Sequence, residues 1–489
     1  MRVRAVLLAP LAIALAGCAF QHASTPHVTP PLAYEQPGHT PLTPIELDRW
    51  WTNFNDPQLD QLIADALVRS PDARTADQRL LEARATRGSQ NLQTLPRGNI
   101  AGNASRRHTE DLGGNSSPLF PTGGDSESET ANFNVTWELD LFGRVRGGLQ
   151  VVEADYAATR FNIEGSRAAL VANVADAYFQ ARGLAIQLQD ARETLRIQNE
   201  LHHIAQVRAD HGLGAASDVL RVEGDLAQAR SQVESLTAEI HAQQRTILVL
   251  VGRGFEPTAN LPVDPIADAI PAVPEAVPGT LLQRRPDVRE AEARLRGQIG
   301  RQRLQDLAIF PTFNLLPGLG LSRSVSPGVS FNPTTGAITP ATTTSETGFW
   351  SFGIGVTIPV LDIPHLLQDI HAQDARAEQA VIAYERAVQT AYGEADSSLV
   401  RLAADQRRVA ILKAGERSAR AASAAATLRY RRGLDDLQTA LSAEQSWRST
   451  RSALTAEQVQ ALRRAVVVYK ALGGGWAYTN AATGGGRAR

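Results

Sequence analysis

Between Phe133 and Leu141 every odd position is apolar (Phe133, Val135, Trp137, Leu139, Leu141) and every even one is polar (Asn134, Thr136, Glu138, Asp140). Strict alternation with a period of two marks a strand with one apolar and one wet face. This strand passes through Gly143 into a helical pattern of about 60 residues, in a chain that otherwise reads as almost all helix. A second unit follows about 219 residues later, where Trp350, Phe352, Ile354, Val356 and Ile358 alternate with Ser351, Gly353, Gly355 and Thr357. An isolated strand cannot hide its edges or its apolar face. Two such strands, each opening into a very long helix, are not what an ordinary globular core would bury.

The N-terminus carries Arg2 and Arg4, an apolar run from Ala5 to Ala16, and then Leu15-Ala16-Gly17-Cys18. A charged start, an apolar run too short to span a bilayer and a small-residue cleavage site together read as a signal peptide over residues 1–17. Cys18 is the one cysteine in 489 residues, so it has no internal disulfide partner. Leu-Ala-Gly-Cys resembles the bacterial lipobox, whose cysteine is lipidated and becomes the first residue of the mature chain. That resemblance implies a covalent lipid on Cys18, and Ala19 in place of an aspartate implies the outer membrane. The alternative is an ordinary signal peptide with an incidental cysteine. With 49 basic against 51 acidic residues, nothing points to nucleic acid.

Six prolines between Pro26 and Pro44 make residues 18–48 an extended tether. Beyond it the chain repeats. Arg285-Pro286-Asp287 echoes Ser70-Pro71-Asp72 at a spacing of 215, Phe310-Pro311 echoes Leu95-Pro96 at 215, and Gly433 echoes Gly212 at 221. A fixed period interrupted only by small shifts is a tandem duplication. The first repeat is placed at 49–252, a Pro-rich linker at 253–278, the second repeat at 279–472 and a flexible tail at 473–489. Expected strands are 98–107, 131–142, 312–322 and 348–360, with long helices at 146–210 and 365–432. Each long helix would reach roughly 100 Å at 1.5 Å per residue. Shorter helices are expected in pairs, 72–95 with 217–251 and 286–309 with 434–470, each pair about as long as one long helix.

After residue 17 no run of 18 or more apolar residues occurs, so no transmembrane helix is expected. If the chain crosses a membrane, its strands must do so as a closed barrel, since unpaired backbone groups cannot face lipid. Four strands per chain are too few for a barrel, which starts at about eight, so several chains must share one. The membrane-facing candidates are Phe133, Val135, Trp137, Leu139, Trp350, Phe352, Ile354 and Val356. The alternative is a small soluble β-layer capping a helical bundle, with the same aromatics in its core.

At these residues the chain resembles the outer-membrane factor family of tripartite efflux systems, the TolC- and OprM-like channel proteins. The carriers are Trp50-Trp51 with Phe54 and Asp56-Pro57, Ser70-Pro71-Asp72, Trp137 to Arg144, and Arg284-Arg285-Pro286-Asp287-Val288-Arg289. Gly212 with Asp218, Tyr430-Arg431-Arg432-Gly433 and Lys470 to Trp476 complete the set. The resemblance implies a mainly helical fold with a small β part: a long-helix tunnel plus four strands per chain in a trimeric transmembrane β-barrel. It implies a homotrimer working with a periplasmic adaptor and an inner-membrane pump, with proton-driven pumps favoured, and no enzymatic step. Residues 109–129 and 323–347 become extracellular loops, and the linker and C-terminus a belt around mid-tunnel.

The breaks at Gly212 and Gly433 become the periplasmic tips, where a gate is expected. Its candidates are Asp218, Tyr430, Asp435, Asp436, Gln438, Thr439 and Ser442. Ser217 is also a plausible N-cap for the helix after Gly212, with Asp218 in its first turn. Gln438, Thr439 and Ser442 stand where the family often carries leucine or aspartate, so a less acidic and less cation-selective constriction is expected. Leu361-Asp362-Ile363-Pro364 replaces the usual glycine-rich turn, with Pro364 acceptable at a helix start. Alternatives are the outer-membrane component of an ATP-driven secretion system and a lipid-anchored coiled-coil protein that does not span. No metal site or cofactor is expected, since His202-His203 lack carboxylate partners at metal-ligand spacing.

Overall fold

The computed structural model describes residues 24–29, 31, 33–35, 40–41, 47–110, 124–265, 270–271, 274–275 and 278–474. The signal peptide, Cys18, Trp476 and nearly all of the expected tail lie outside these residues. In chain order the main elements are α1 (Pro57–Arg69), α2 (Pro71–Asn91), β1 (Arg97–Thr109), β2 (Gly124–Leu139), α3 (Arg144–Asp210) and α4 (Ala216–Leu250). The second repeat holds α5 (Pro286–Asp306), β3 (Thr312–Leu315), β4 (Gly318–Phe331), β5 (Ile338–Ser351), β6 (Ile354–Thr357), α6 (Ile363–Arg431) and α7 (Leu437–Ala471). The duplication is visible in lengths alone. Helices α2 and α5 both have 21 residues, α4 and α7 both have 35, and α3 and α6 have 67 and 69.

The same local devices recur in each half. Pro57, Pro71 and Pro286 each open a helix, where a missing N–H costs nothing. Gly212, Gly252, Gly433 and Gly473 all adopt positive φ, between 69° and 81°, just beyond a helix end. At each one the next residue's N–H reaches back to the carbonyl five residues earlier, as from Leu213 to Arg208 and from Leu434 to Arg429, at 2.8 and 2.9 Å. That is the Schellman closure, which favours glycine at the left-handed position. Gly252 lies against the Arg69–Ser70 backbone, and Gly473 against Arg284–Arg285. The two Pro-Asp helix starts are thus braced identically.

One compact unit comprises residues 25–83, 157–293 and the chain from 381 onward. Its core gathers Trp50, Phe54, Leu59, Ile63, Tyr178, Phe179, Ile247, Leu402 and Tyr469. Trp50 stacks on Tyr469 with ring centroids 5.5 Å apart, and Phe54 meets Phe179 at 4.8 Å. Asp56 caps α1 through the amides of Gln58 and Leu59, accepts the Tyr178 hydroxyl at 2.6 Å, and pairs with Arg182. Buried Arg285 bonds Asp287 and Glu394 and donates to the carbonyls of Ala391 and Ala471. The Trp-Trp and Arg-Arg-Pro-Asp motifs are thereby explained as core and anchor. Described parts of the expected tether lie on α6: the His27 amide donates to Glu385 at 2.7 Å, the Glu35 amide to Asp396 at 2.9 Å, and Tyr34 stacks on Tyr392.

The other unit holds residues 84–156 and 294–380, and with them the whole main sheet. All pairings are antiparallel. β2 pairs with β1 on one side and with β4 and β3 on the other; β4 pairs with β5, and β3 with β6. Strands β3 and β4 are one strand interrupted at Leu316-Pro317, and β5 and β6 one interrupted at Phe352-Gly353, so the layer is four strands wide. Two expectations need correction. The long alternating run 348–360 is broken at Phe352 and ends at Thr357, and much of the expected loops 109–129 and 323–347 is strand. Residues 124–129 extend β2, and β4 and β5 meet at a turn where the Asn332 side chain accepts from the Thr334 amide and Gly336 has φ +66°.

Candidate functional site: an exposed apolar sheet face and two helix breaks

Cross-strand register sorts the sheet into two faces. On one, Ile100, Phe133, Leu319 and Trp350 form a row across all four strands. Below it come Trp137, Leu315 and Ile354, then Leu139, Phe313 and Val356. On the other face Asn103, Thr130, Ser322 and Thr347 form one row, and Ser105, Ser128, Ser324 and Ser345 another. Phe349 is the exception there, lying where Gly320 has no side chain: a Cβ on Gly320 would come 2.2 Å from the ring.

Among the described residues nothing covers the apolar face. Trp350 is 78% exposed, Phe352 65% and Ile354 63%; Phe133, Trp137 and Val356 are exposed, while Val135 and Leu139 are half-buried. The band stops at Ala131 and Leu321. In the next row Arg323 lies between Glu129 and Glu346, at 3.5 Å from each, and further out Arg106 pairs with Asp125 at 2.8 Å. A belt of apolar residues closed off by charges is the pattern of a membrane strand leaving the hydrocarbon layer. Among the described residues no helix is long and apolar enough to cross a membrane.

The turn from sheet to helix is built by the Trp137–Arg144 motif. Asp140 accepts from the amides of Val145 and Arg146 at 3.0 and 3.1 Å, capping α3, and Arg144 forks onto Glu138. Gly143, at φ +82°, supplies the left-handed residue between them. In the second repeat Pro364 sits as the second residue of α6, as expected for tolerated variation at a helix start.

The two helix breaks have the same backbone and different side chains. At the second, Asp436 caps α7 by accepting from the Thr439 amide at 2.7 Å, and Asp435 takes a forked pair from Arg429 at 2.6 and 3.0 Å. The Arg429 hydrogen bonds hold Asp435 below the usual carboxylate range, and the Thr439 bonds do the same for Asp436. At the first break the cap position is Ala215, whose methyl group cannot accept a hydrogen bond; Ser217, expected there, is the second residue of α4 instead. Asp218, half-buried in that first turn, lies close enough to Tyr430 to raise its pKa, to which burial contributes more.

Tyr430 is buried with Leu201, Val222, Leu437, Ala440 and Leu441. Gln438, Thr439 and Ser442 are exposed. The acids nearest them are occupied, one by an arginine and one by a cap. Several partners were not legible from the sequence. Arg208 lies over the Tyr430 ring at 5.0 Å and donates to its carbonyl, and Arg431 pairs with Glu200. Glu444, 1% exposed, is held by Arg448 at 2.9 Å and by Gln198 at 3.3 Å. Burial pushes its pKa up, with Arg448 opposing. Arg448 lies one turn from Glu444 on the same helix, but the other pairs join residues more than 200 positions apart, and only the spacing of the repeats could have hinted at them.

An uncovered apolar sheet, long paired helices and two matched repeats define a chain of the outer-membrane efflux class. The chain belongs to the outer membrane efflux protein family, whose model matches residues 62–253 and 277–474. It is 28% identical over 482 residues to the probable efflux pump outer membrane protein TtgC of Pseudomonas putida, covering 96% of this chain and 95% of that one. It is also 28% identical over 444 residues to the cation efflux system protein CusC of Escherichia coli, covering 87% and 88%. The solved outer-membrane channel OprN matches with a TM-score of 0.77 at 27% identity, over 93% of this chain and 99% of that one. The protein is an outer-membrane protein with a large periplasmic part.

Proposed function

We propose that this protein is the exit duct of a tripartite efflux system and works as a homotrimer. Three four-stranded sheets close into one twelve-stranded barrel, with the apolar rows against lipid and the hydroxyl and amide rows against water. The long helices continue the passage through the periplasm. Small molecules or drugs arrive from a proton-driven inner-membrane pump through a periplasmic adaptor, and the duct performs no chemistry. Cys18, lipidated after cleavage, would add an anchor that needs the barrel as its second hold. At the helix breaks Gln438, Thr439 and Ser442 make a rim of amides and hydroxyls, with Asp435 and Asp436 already engaged.

The observation that carries this reading is the four-stranded sheet, apolar on one face and, among the described residues, open at both edges. In water it would be a liability; in lipid, with two more copies, every edge is paired. The test is electrophoresis of membrane-extracted protein with and without heating, together with dye accumulation in a deletion strain. A band at three times the chain mass that collapses on heating, and raised ethidium accumulation, are expected. Recovery as a monomer in the soluble periplasmic fraction would end the proposal.

A further inference from the structure

At the foot of the sheet, where β1, β2 and β3 meet the helix ends, there is a cavity of about 690 Å³. That is within the range of small-molecule sites, about 300–1,000 Å³. It opens on the polar face: Arg97 pairs across to Thr136, and Glu138 to Asn314, and all four residues line it. Its apolar wall is Leu95, Leu304, Leu307 and Phe310. Gln90 and Gln93 add amides at the rim, and Gln93 donates to Gln90.

The charge in this cavity is one-sided. Arg144 and Glu138 cancel in a forked pair. Exposed Arg97 has no ion-pair partner among the described residues, which leaves one uncompensated cation among the residues that line the cavity. The floor also has room to spare: a Cβ on Gly148, which lines the cavity, would meet nothing within 4 Å.

We propose that this cavity is a transit subsite for amphipathic monoanions, small carboxylates, sulfonates or phenolates with an apolar body. The anionic group meets Arg97 and the body lies on Leu304, Leu307 and Phe310. The proposal rests on the duct reading, which places the polar face on the lumen and gives the trimer three such subsites. Binding there is weak, because a passage must release what it accepts. It favours one charge type near the point where helices give way to strands.

The test is single-channel recording of the purified full-length protein in planar bilayers, with taurocholate below its micellar concentration as the probe added on the strand side. Transient block by taurocholate and much weaker block by cationic ethidium are expected. Arg97→Ala should shorten the taurocholate dwell time roughly threefold to fivefold, the scale of one exposed ion pair. Arg97→Lys should restore most of it. Gly148→Phe fills the floor of the cavity and should remove the block even with Arg97 present. Absence of any conductance from the wild-type protein would overturn the duct reading and the subsite together. Conducting channels whose block is unchanged in both Arg97→Ala and Gly148→Phe overturn the subsite alone. Block lost in Gly148→Phe but untouched in Arg97→Ala overturns its anion preference.

Discussion

Trp50 and Trp350 are the same side chain under opposite rules. In the helical unit Trp50 is 1% exposed, stacked on Tyr469 and ringed by aromatic and aliphatic neighbours. In the sheet unit Trp350 is 78% exposed in a row of apolar residues that point away from the chain. Burial in a protein core and exposure to hydrocarbon satisfy an indole equally, since both remove it from water. On the duct reading the sheet unit is half of a core completed by lipid, whereas the helical unit carries its own.

The largest test of that contrast is Trp50→Ala. It empties a fully packed site and should cost about 3–5 kcal/mol, read as lost resistance of the helical circular-dichroism signal to urea. Phe133→Arg comes next, at about 2–4 kcal/mol if the residue faces the bilayer centre. It should show as impaired insertion into lipid vesicles, while Asn134→Arg, one residue along on the wet face, should insert nearly as the wild type does. Equal penalties for the two would break the assignment of faces.

Glu444 sharpens the same contrast from the polar side. Its pKa is raised by burial, so its contribution to stability is present at low pH and lost as pH rises through its folded value. Asp435, lowered by Arg429, contributes in the opposite sense: its share is present above the ordinary carboxylate value and lost as pH falls below it. Glu444→Gln should therefore flatten the loss of stability between acid and neutral pH without touching the acid limb, as measured by thermal unfolding across that range. The smallest effect belongs to the exposed helix breaks, where neither core nor lipid acts. Ala215→Asp would give α4 the cap that Asp436 gives α7, and should stabilise its first turn by about 1 kcal/mol, read from amide exchange.

Much of this architecture was legible before any coordinates. Proline-free tracts set the long helices, and repeated Pro-Asp and Gly positions exposed the duplication. Alternation from Phe133 to Leu139 found the exposed apolar band because there the two faces of the sheet carry side chains of opposite character. Where both faces are wet the signal vanishes: Gly124 to Thr130 and Ser322 to Thr347 carry polar or small residues on most positions of either side, so their pairing reads as loop. Asn332-Pro333-Thr334-Thr335-Gly336 did hold a turn signal in that stretch, but without flanking alternation it had nothing to connect. Ser217 misled as a cap because the helix begins at Ala216, two residues before a Ser217 cap would start it. The ties of Tyr430 to Arg208 and of Glu444 to Gln198 were invisible for a different reason. They depend on which faces of four helices meet, and helices this polar and alanine-rich leave that choice to packing.

The outer edges of β1 and β5 find no partner among the described residues. That incompleteness carries a genetic consequence once three chains share one ring. A copy whose β1 edge is blocked, for example by proline at an inward-bonding position, still offers a sound β5 edge and is recruited. One defective member then spoils the whole assembly. In a cell expressing both forms, the yield of intact rings would fall with the cube of the wild-type share, so such an allele would behave as dominant rather than as a simple loss.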